Sequence, residues 1–374
     1  MNYTQSLDLI FQSYLAAKPM IVGKLDREVR KPDILLDVAR KLDILPDPRC
    51  VIKVTGSKGK GTVARLCAQG LSHYDKTGIV LSPEEISHLD RMRINGLSIT
   101  EERFIRCFQT VWAAIDLPKP PAYLSPYGLF LLIALQWFKE EGVTNIVIET
   151  GRGVKYDEGG QMAARLGIVT SIFFEHPSYL GPTLEDIRAD KLSISESCTD
   201  VIVADDHMPT GDLVPGWYEK SQQLARQALA QFLGHDVDLP DGPCASFGYR
   251  EIDGRSFYYE GMIALESADK VFLQKLIKRH KGSVCFYISL PDDKDFGGVC
   301  DLLESLDCDN RHIIMTGERG VLSYDQARGK TLAYEGPYDD VEAIRQRLKF
   351  GDHEVCYFIG TQTFLRLIKQ AYFL

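Results

Sequence analysis

The stretch Val51–Cys67, VIKVTGSKGKGTVARLC, decides how the rest of the chain is read. Val51–Val54 is short, apolar and rich in β-branched residues, which predicts a buried strand. The next segment, Gly56, Ser57, Lys58, Gly59, Lys60, Gly61 and Thr62, combines three glycines with two lysines and two hydroxyls. A helical pattern follows over Thr62–Tyr74. Strand, glycine-rich turn and helix N-terminus together make an anion cradle: glycines allow tight positive-φ turns, and the first amides of the helix point at the anion. Lys60 is placed to reach β- and γ-phosphates, and the Thr62 hydroxyl to ligate Mg²⁺. In the common spelling G-x-x-x-x-G-K-[ST], Val54 would have to be Gly, so the loop is a variant. The alternative is a glycine turn with solvated lysines.

Working outward, short apolar runs recur between amphipathic stretches. Strands are expected at Val51–Val54, Thr77–Leu81, Asn145–Glu149, Gly167–Ile172, Asp200–Ala204, Ser283–Leu290, His312–Thr316 and Val355–Gly360. Helices are expected at Thr62–Tyr74, Gly128–Glu141, Leu184–Glu196, Ser221–Leu233, Ser267–Lys281 and Asp340–Leu348. This alternation predicts an α/β fold with mostly parallel sheets. The polar, Pro- and Gly-containing stretch 234–248 predicts a domain boundary, giving domains 1–242 and 243–374.

The formal net charge of −9 disfavours nonspecific binding to nucleic acid or acidic membrane. Nine cysteines occur without a C-x-x-C pair, which argues against a structural zinc site and a disulfide framework. The longest apolar run, Gly128–Phe138, is too short to span a bilayer, and the Met1 end lacks an apolar signal core. A reduced, cytoplasmic enzyme is the expectation.

Two further segments carry chemistry. In TNIVIETGRG, Thr144–Gly153, Glu149 closes a predicted buried strand. Ligands of open α/β sheets bind at that edge, and a carboxylate there suits Mg²⁺. The alternative is a strand-end glutamate neutralised by Arg152. In IVTSIFFEHPSYLGPTLEDIRADKLSI, Ile168–Ile194, His176 lies just past a strand and can offer a ring nitrogen to a second metal; a satisfied structural histidine is the alternative.

Together these segments resemble the Mur ligase superfamily, in its folylpolyglutamate synthase/dihydrofolate synthase branch. GSKGKGT (56–62) is similar to that branch's G-T-N-G-K-G-S, and LSPEEISHLDRMRINGLSIT (81–100) to its T-S-P-H-L and R-I-x-x-N-G. Residues 144–160 resemble E-V-G-L-G-G-R-x-D-A-T-N, with Glu149, Gly151, Gly153 and Asp157 matching. Ile168–Ile194 is the most similar segment.

The resemblance implies an N-terminal ATPase domain and a smaller Rossmann-like C-terminal domain. It also implies a reaction: a carboxylate attacks the γ-phosphate of ATP, and an amine then displaces phosphate from the acyl phosphate. Lys60, Glu149, His176 and Lys191 would be catalytic. Thr62, Ser82, Glu149, His176 and Lys191 would hold up to two Mg²⁺, with Lys191 carbamylated or left as a cation near phosphate. The partners implied are a small carboxylate and an amine such as an amino acid, acting on a monomer or on a chain with a partner subunit.

The match is uneven. In Cys244–Ser267, Glu260 and Gly261 stand for the branch's D-G, but Met262–Leu265 offers neither its His nor its Asn, and Phe247 stands where an ATP-contacting Arg is expected. A ligase with a non-standard substrate is the leading reading; an authentic folate ligase and an ATP-binding pseudoenzyme or regulatory subunit are the alternatives.

Overall fold

The computed structural model describes residues 1–205, 207, 209, 211–239, 247–261, 268–290, 296–308, 310–316, 333–338 and 340–374. They divide into two compact units. One comprises Met1–His207 with Ser221–Pro240, the other Met208–Lys220 with Asp241–Leu374.

The first unit opens with helices α1 (Tyr3–Ala17), α2 (Asp26–Val29) and α3 (Asp33–Lys41). Then follow β1 (Val51–Thr55), α4 (Lys60–Ser72), β2 (Thr77–Val80), β3 (Met92–Ile94), β4 (Leu97–Ser98), α5 (Glu101–Ala114), α6 (Pro126–Glu140) and β5 (Asn145–Glu149). The unit continues with α7 (Glu158–Gln161), β6 (Ala164–Val169), α8 (Pro177–Leu180), α9 (Leu184–Leu192) and β7 (Cys198–Val203), and is joined by most of α10 (Gly216–Leu233).

Its sheet has the order β4-β3-β2-β5-β1-β6-β7. β2, β5, β1, β6 and β7 run parallel; β3 and β4 form an antiparallel margin. Every residue of β1, β2 and β5 is buried, as expected of parallel strands covered on both faces. One hydrophobic cluster joins the sheet to α1, α3, α5 and α6; another joins it to α4 and α10. Helix α6 is apolar nearly all round, with 11 of its 15 residues buried, so it belongs inside the core rather than on its surface. It starts two residues before the expected Gly128 because Ser125 caps it and Pro126 takes the first turn, where a missing N–H costs nothing.

The second unit has β8 (Phe247–Ile252), β9 (Arg255–Gly261), α11 (Lys270–Arg279), β10 (Val284–Ser289), α12 (Phe296–Glu304), β11 (Arg311–Thr316) and β12 (Ala333–Tyr338). It closes with α13 (Val341–Arg347), β13 (Val355–Gly360) and α14 (Gln362–Tyr372). The strand order is β12-β11-β10-β13-β9-β8, parallel except for β8.

All eight expected strands and all six expected helices occur, Asn145–Glu149 and Val355–Gly360 with the expected bounds and the others with shifted ends. Among the additions to the sequence reading are helices α1, α3 and α5, strands β3, β4 and β12, and the β8–β9 hairpin. The hairpin turns on Asp253 and Gly254, both at positive φ, the conformation a tight two-residue turn demands. Met262–Leu265 and the acidic stretch 292–295 lie outside the described residues.

Candidate active site

Register brings the site together. Val54 on β1 pairs with Glu149 on β5 and with Ile168 on β6, so three strands end level and release their loops side by side. This is the carboxyl edge of a parallel sheet, where ligands of such folds bind.

The loop after β1 is tightly held. Gly56 has φ +133, and a Cβ there would lie 1.9 Å from Thr170 Oγ1, so only glycine fits. Gly59, with φ +90, precedes α4 and offers no side-chain acceptor to the first turn of the helix, an arrangement that suits an anion at this end. Ser57 N donates to Ser171 O (2.6 Å), Lys58 N to Ser171 Oγ (3.3 Å), and Phe173 N to Ser57 Oγ (3.1 Å). The loop is thereby tied to the segment that carries Glu175 and His176. Lys60 folds back on the loop, its Nζ donating to Gly56 O (2.9 Å). Thr62 is buried in the first turn of α4.

Glu149 is 5% exposed, and its Oε2 accepts from Ser82 N at 2.9 Å. Burial pushes its carboxyl up to about 7, against the pull of Lys60. Arg152 is not its partner. That guanidinium pairs with Asp26 instead (2.9 and 2.6 Å) and lies 3.6 Å over the Tyr179 ring. A cation at Glu149 would sit against Gly61, whose Cβ position is 3.3 Å from Glu149 Oε2, so this glycine keeps the approach open.

His176 takes φ +52 and precedes α8, which Pro177 begins. Burial lowers its imidazole to about 4, so it is neutral at pH 7 and offers a lone pair. Lys191, on α9, has no exposed surface, and burial lowers its amine. Between them lies Glu175, which the sequence reading passed over although it adjoins His176. Its Oε1 is 2.8 Å from Lys191 Nζ and its Oε2 is 3.6 Å from His176 Nε2. Burial opposes ionisation of Glu175, but Lys60, Lys191 and His176 outweigh it and hold the carboxyl below its ordinary value.

This donor set fits a hard divalent cation. Two buried carboxylates keep acceptor capacity: Glu175 faces the Lys191 ammonium through Oε1 (2.8 Å) and turns Oε2 toward His176, and one backbone N–H reaches Glu149 Oε2. Among the described residues no three His, Cys, Asp or Glu side chains converge as a metal cage. A bound ion would therefore complete its shell with hydroxyls, water and phosphate oxygens, as Mg²⁺ commonly does.

Beside these residues opens a cavity of about 350 Å³ whose wall includes Phe11, Tyr14, Tyr123, Tyr127, Ser82 and His176. Arg30, 5% exposed, lies at its margin and faces Asp26 (3.5 Å), Asp157 (3.1 Å) and Glu158. Glu158 also accepts from Ser125 N and Ser125 Oγ, at the start of α6. Asp157 holds Gly151 N and Gly159 N at 3.1 Å each, shaping the loop after β5. This buried ionic cluster was not legible beforehand, because its members come from α2, its following residue and the 152–158 loop.

In the second unit Phe247, expected at an ATP-facing position, packs among Trp217, Tyr218, Tyr258 and Phe272. Glu260 is fully buried and accepts from Trp217 Nε1 (2.7 Å) and Tyr357 OH (2.6 Å).

No family model matches the chain. Over 178 residues it is 31% identical to the dihydrofolate synthase/folylpolyglutamate synthase of Haemophilus influenzae, covering 47% of this chain and 40% of that protein. The Escherichia coli protein of the same description is 30% identical over 178 residues, with 46% and 40% covered. The aligned part thus spans about two fifths of the length of these curated relatives. Among solved structures, E. coli FolC in complex with DHPP and ADP superposes with a TM-score of 0.72 at 18% identity, covering 99% of this chain and 97% of that one. The Yersinia pestis bifunctional enzyme complexed with AMPPNP and Mn ion gives 0.66 at 19% identity, with 91% and 93% covered. These likenesses bear out the resemblance to the folylpolyglutamate synthase/dihydrofolate synthase branch and the two-sheet α/β fold.

Proposed function

We propose that the chain is an ATP-dependent, ADP-forming ligase that joins a carboxylate to an amine through an acyl phosphate. The observation that carries this reading is the convergence of Lys60, Glu149 and the Glu175–His176–Lys191 group at one sheet edge, beside an aromatic cavity that shares Ser82 and His176 with it.

The chemistry sets the requirements. A carboxylate oxygen attacks the γ-phosphorus while the bond to ADP breaks. An amine nitrogen then attacks the acyl carbon, phosphate leaves, and the nitrogen loses a proton. The first step brings two anions together, so positive charge must screen them. Gly56, Ser57, Lys58, Gly59, Gly61 and Thr62 cradle the phosphates in this reading, and Lys60 neutralises the β- and γ-phosphates. Thr62, Ser82 and Glu149 would hold Mg²⁺, with His176 facing a second ion, and the metal would supply the remaining positive charge. The cavity behind Ser82 holds the carboxylate substrate. Residues 1–242 serve as the ATPase domain and 243–374 as the C-terminal ligase domain.

The substrate we assign is a small carboxylate other than the usual folate precursor. The support is the ionic cluster of Arg30, Asp26, Asp157, Glu158 and Arg152 at the cavity margin. A folate ligase is the second reading, favoured by the identity to folate enzymes over the aligned part. We assign the chain to the cytoplasm as a monomer; among the described residues no helix is long and apolar enough to cross a membrane.

Phosphate release from ATP is the test. It should require both a carboxylate and an amine and vanish in Lys60→Ala. Release at equal rate without any acceptor would overturn the ligase reading. Growth of a folate-ligase-deficient strain on this gene would decide for the second reading.

A further inference from the structure

Resting on the ligase reading, we propose that Arg152 recognises the carboxylate of the substrate, through the edge of its guanidinium that Asp26 leaves open. A guanidinium carries five N–H bonds and can meet carboxylates along more than one edge. One edge of Arg152 is taken: Nε donates to Asp26 Oδ2 at 2.9 Å and Nη2 to Asp26 Oδ1 at 2.6 Å. The other edge is not. Nη1 has no acceptor among the described residues, and Nη2 has beyond Asp26 only the Tyr123 hydroxyl, at 3.5 Å.

The two guanidiniums at the cavity differ in this respect. Arg30 is 5% exposed and is engaged by Asp26, Asp157 and Glu158. Arg152 keeps 27% of its side chain exposed and lines the cavity together with Ser82, Tyr123 and His176. Asp157 and Glu158 are drawn to Arg30, and Asp26 is shared between both arginines, so Arg152 has no carboxylate to itself.

Arg152 is also held still. The fork to Asp26 on α2 fixes one edge, the Tyr179 ring on α8 lies 3.6 Å from the guanidinium carbon, and Lys191 Nζ donates to the Arg152 carbonyl at 3.1 Å. A long side chain ordered beforehand loses little freedom when its ligand arrives. A carboxylate laid against Nη1 and Nη2 accepts one hydrogen bond on each oxygen. Each oxygen keeps a further lone pair, so one remains to attack phosphorus. Tyr123 adds a neutral donor beside Nη2, since burial pushes its phenol up to about 12 and keeps it protonated. Phe11, Tyr14 and Tyr127 offer rings for the body of a flat acid.

The experiment titrates benzoate, and its uncharged counterpart benzamide, into the full chain with Mg²⁺ and ADP, and follows binding by ligand-observed NMR. Wild type should hold benzoate at least about tenfold more tightly than benzamide. Arg152→Met should abolish that preference and bind ADP as wild type does. Should Arg152→Met fail to fold because Asp26 loses a counter-ion, Arg152→Lys keeps the charge. Its single ammonium serves Asp26 and lacks the second edge, so it too should lose most of the preference. Equal binding of the two probes by wild type, no saturable benzoate binding, or an undiminished preference in Arg152→Lys or Arg152→Met would each overturn the proposal. Those results leave the ligase reading standing. Phosphate release independent of any acceptor sinks the ligase reading instead, and the benzoate preference and its loss in the variants are read without turnover.

Discussion

At the carboxyl edge of the first sheet, Glu149 and Glu175 are buried with acceptor capacity to spare. At the carboxyl edge of the second, Glu260 is buried just as deeply but receives the Trp217 indole at 2.7 Å and the Tyr357 hydroxyl at 2.6 Å. Both sheets are mainly parallel, and both place a glutamate at a strand end. They differ in what surrounds it. The first edge has two glycine-bearing loops, two lysines and a neutral histidine. The second has aromatic rings, with Tyr258 stacked on Tyr357 at 5.5 Å. A buried carboxylate with neutral donors is a structural anchor; one with cations and unused lone pairs is a site awaiting charge. Among the described residues, the ionic chemistry of this chain lies in the first unit.

That contrast can be broken by experiment. The largest effect is expected at Arg30. Arg30→Met leaves Asp157 and Glu158 buried without their counter-ion and should destabilise the first unit by about 3–5 kcal/mol in denaturant unfolding. A loss under about 1 kcal/mol would mean the cluster is wetter than its burial indicates.

Next comes Lys60→Ala, which should cut ATP turnover by about 10²–10³-fold while leaving the melting temperature nearly unchanged. An equal fall in stability would make Lys60 a structural residue like Glu260. Glu260→Ala should do the reverse. It strands the Trp217 and Tyr357 donors and should cost about 2–3 kcal/mol of stability. Retention of full stability, with nucleotide binding lost, would move ionic chemistry to the second edge and collapse the comparison.

The smallest effect is a pH dependence. Burial, reinforced by Glu158 and opposed by Arg30, raises the Asp157 carboxyl to about 6. The folded state then holds a proton that the unfolded chain has released, so this contribution to stability is present at low pH and is lost as pH rises through about 6. Asp157→Asn cannot titrate. Its stability relative to wild type should climb by on the order of 1–2 kcal/mol between pH 4 and pH 7, read from chemical unfolding at each pH. A flat difference would show that Arg30 keeps Asp157 ionised throughout.

Much of this was legible in the linear chain because it is local. GSKGKGT, with a β-branched strand before it and a helical pattern after it, declares a phosphate loop within seventeen residues. Period and turn chemistry also announced every strand of the first parallel core. Helix α5 was passed over although Thr100 accepts from Arg103 N as its cap, and the β8–β9 hairpin although Asp253–Gly254 is a strong turn signal.

Other features have no local signature. Asp26, Arg30, Arg152, Asp157 and Glu158 are ordinary charged residues in sequence; only packing takes them from water and makes their pairing obligatory. Glu175 was adjacent to a residue already singled out, but nothing in its own letter shows that it stands between an ammonium and an imidazole. The sequence by itself determined the strand–loop–helix units and the order in which they follow. Tertiary structure alone decided which buried charges are spent on one another and which are left for a ligand. Hydrogen bonds within a loop depend on neighbours in the chain, whereas desolvation depends on every element packed around a group.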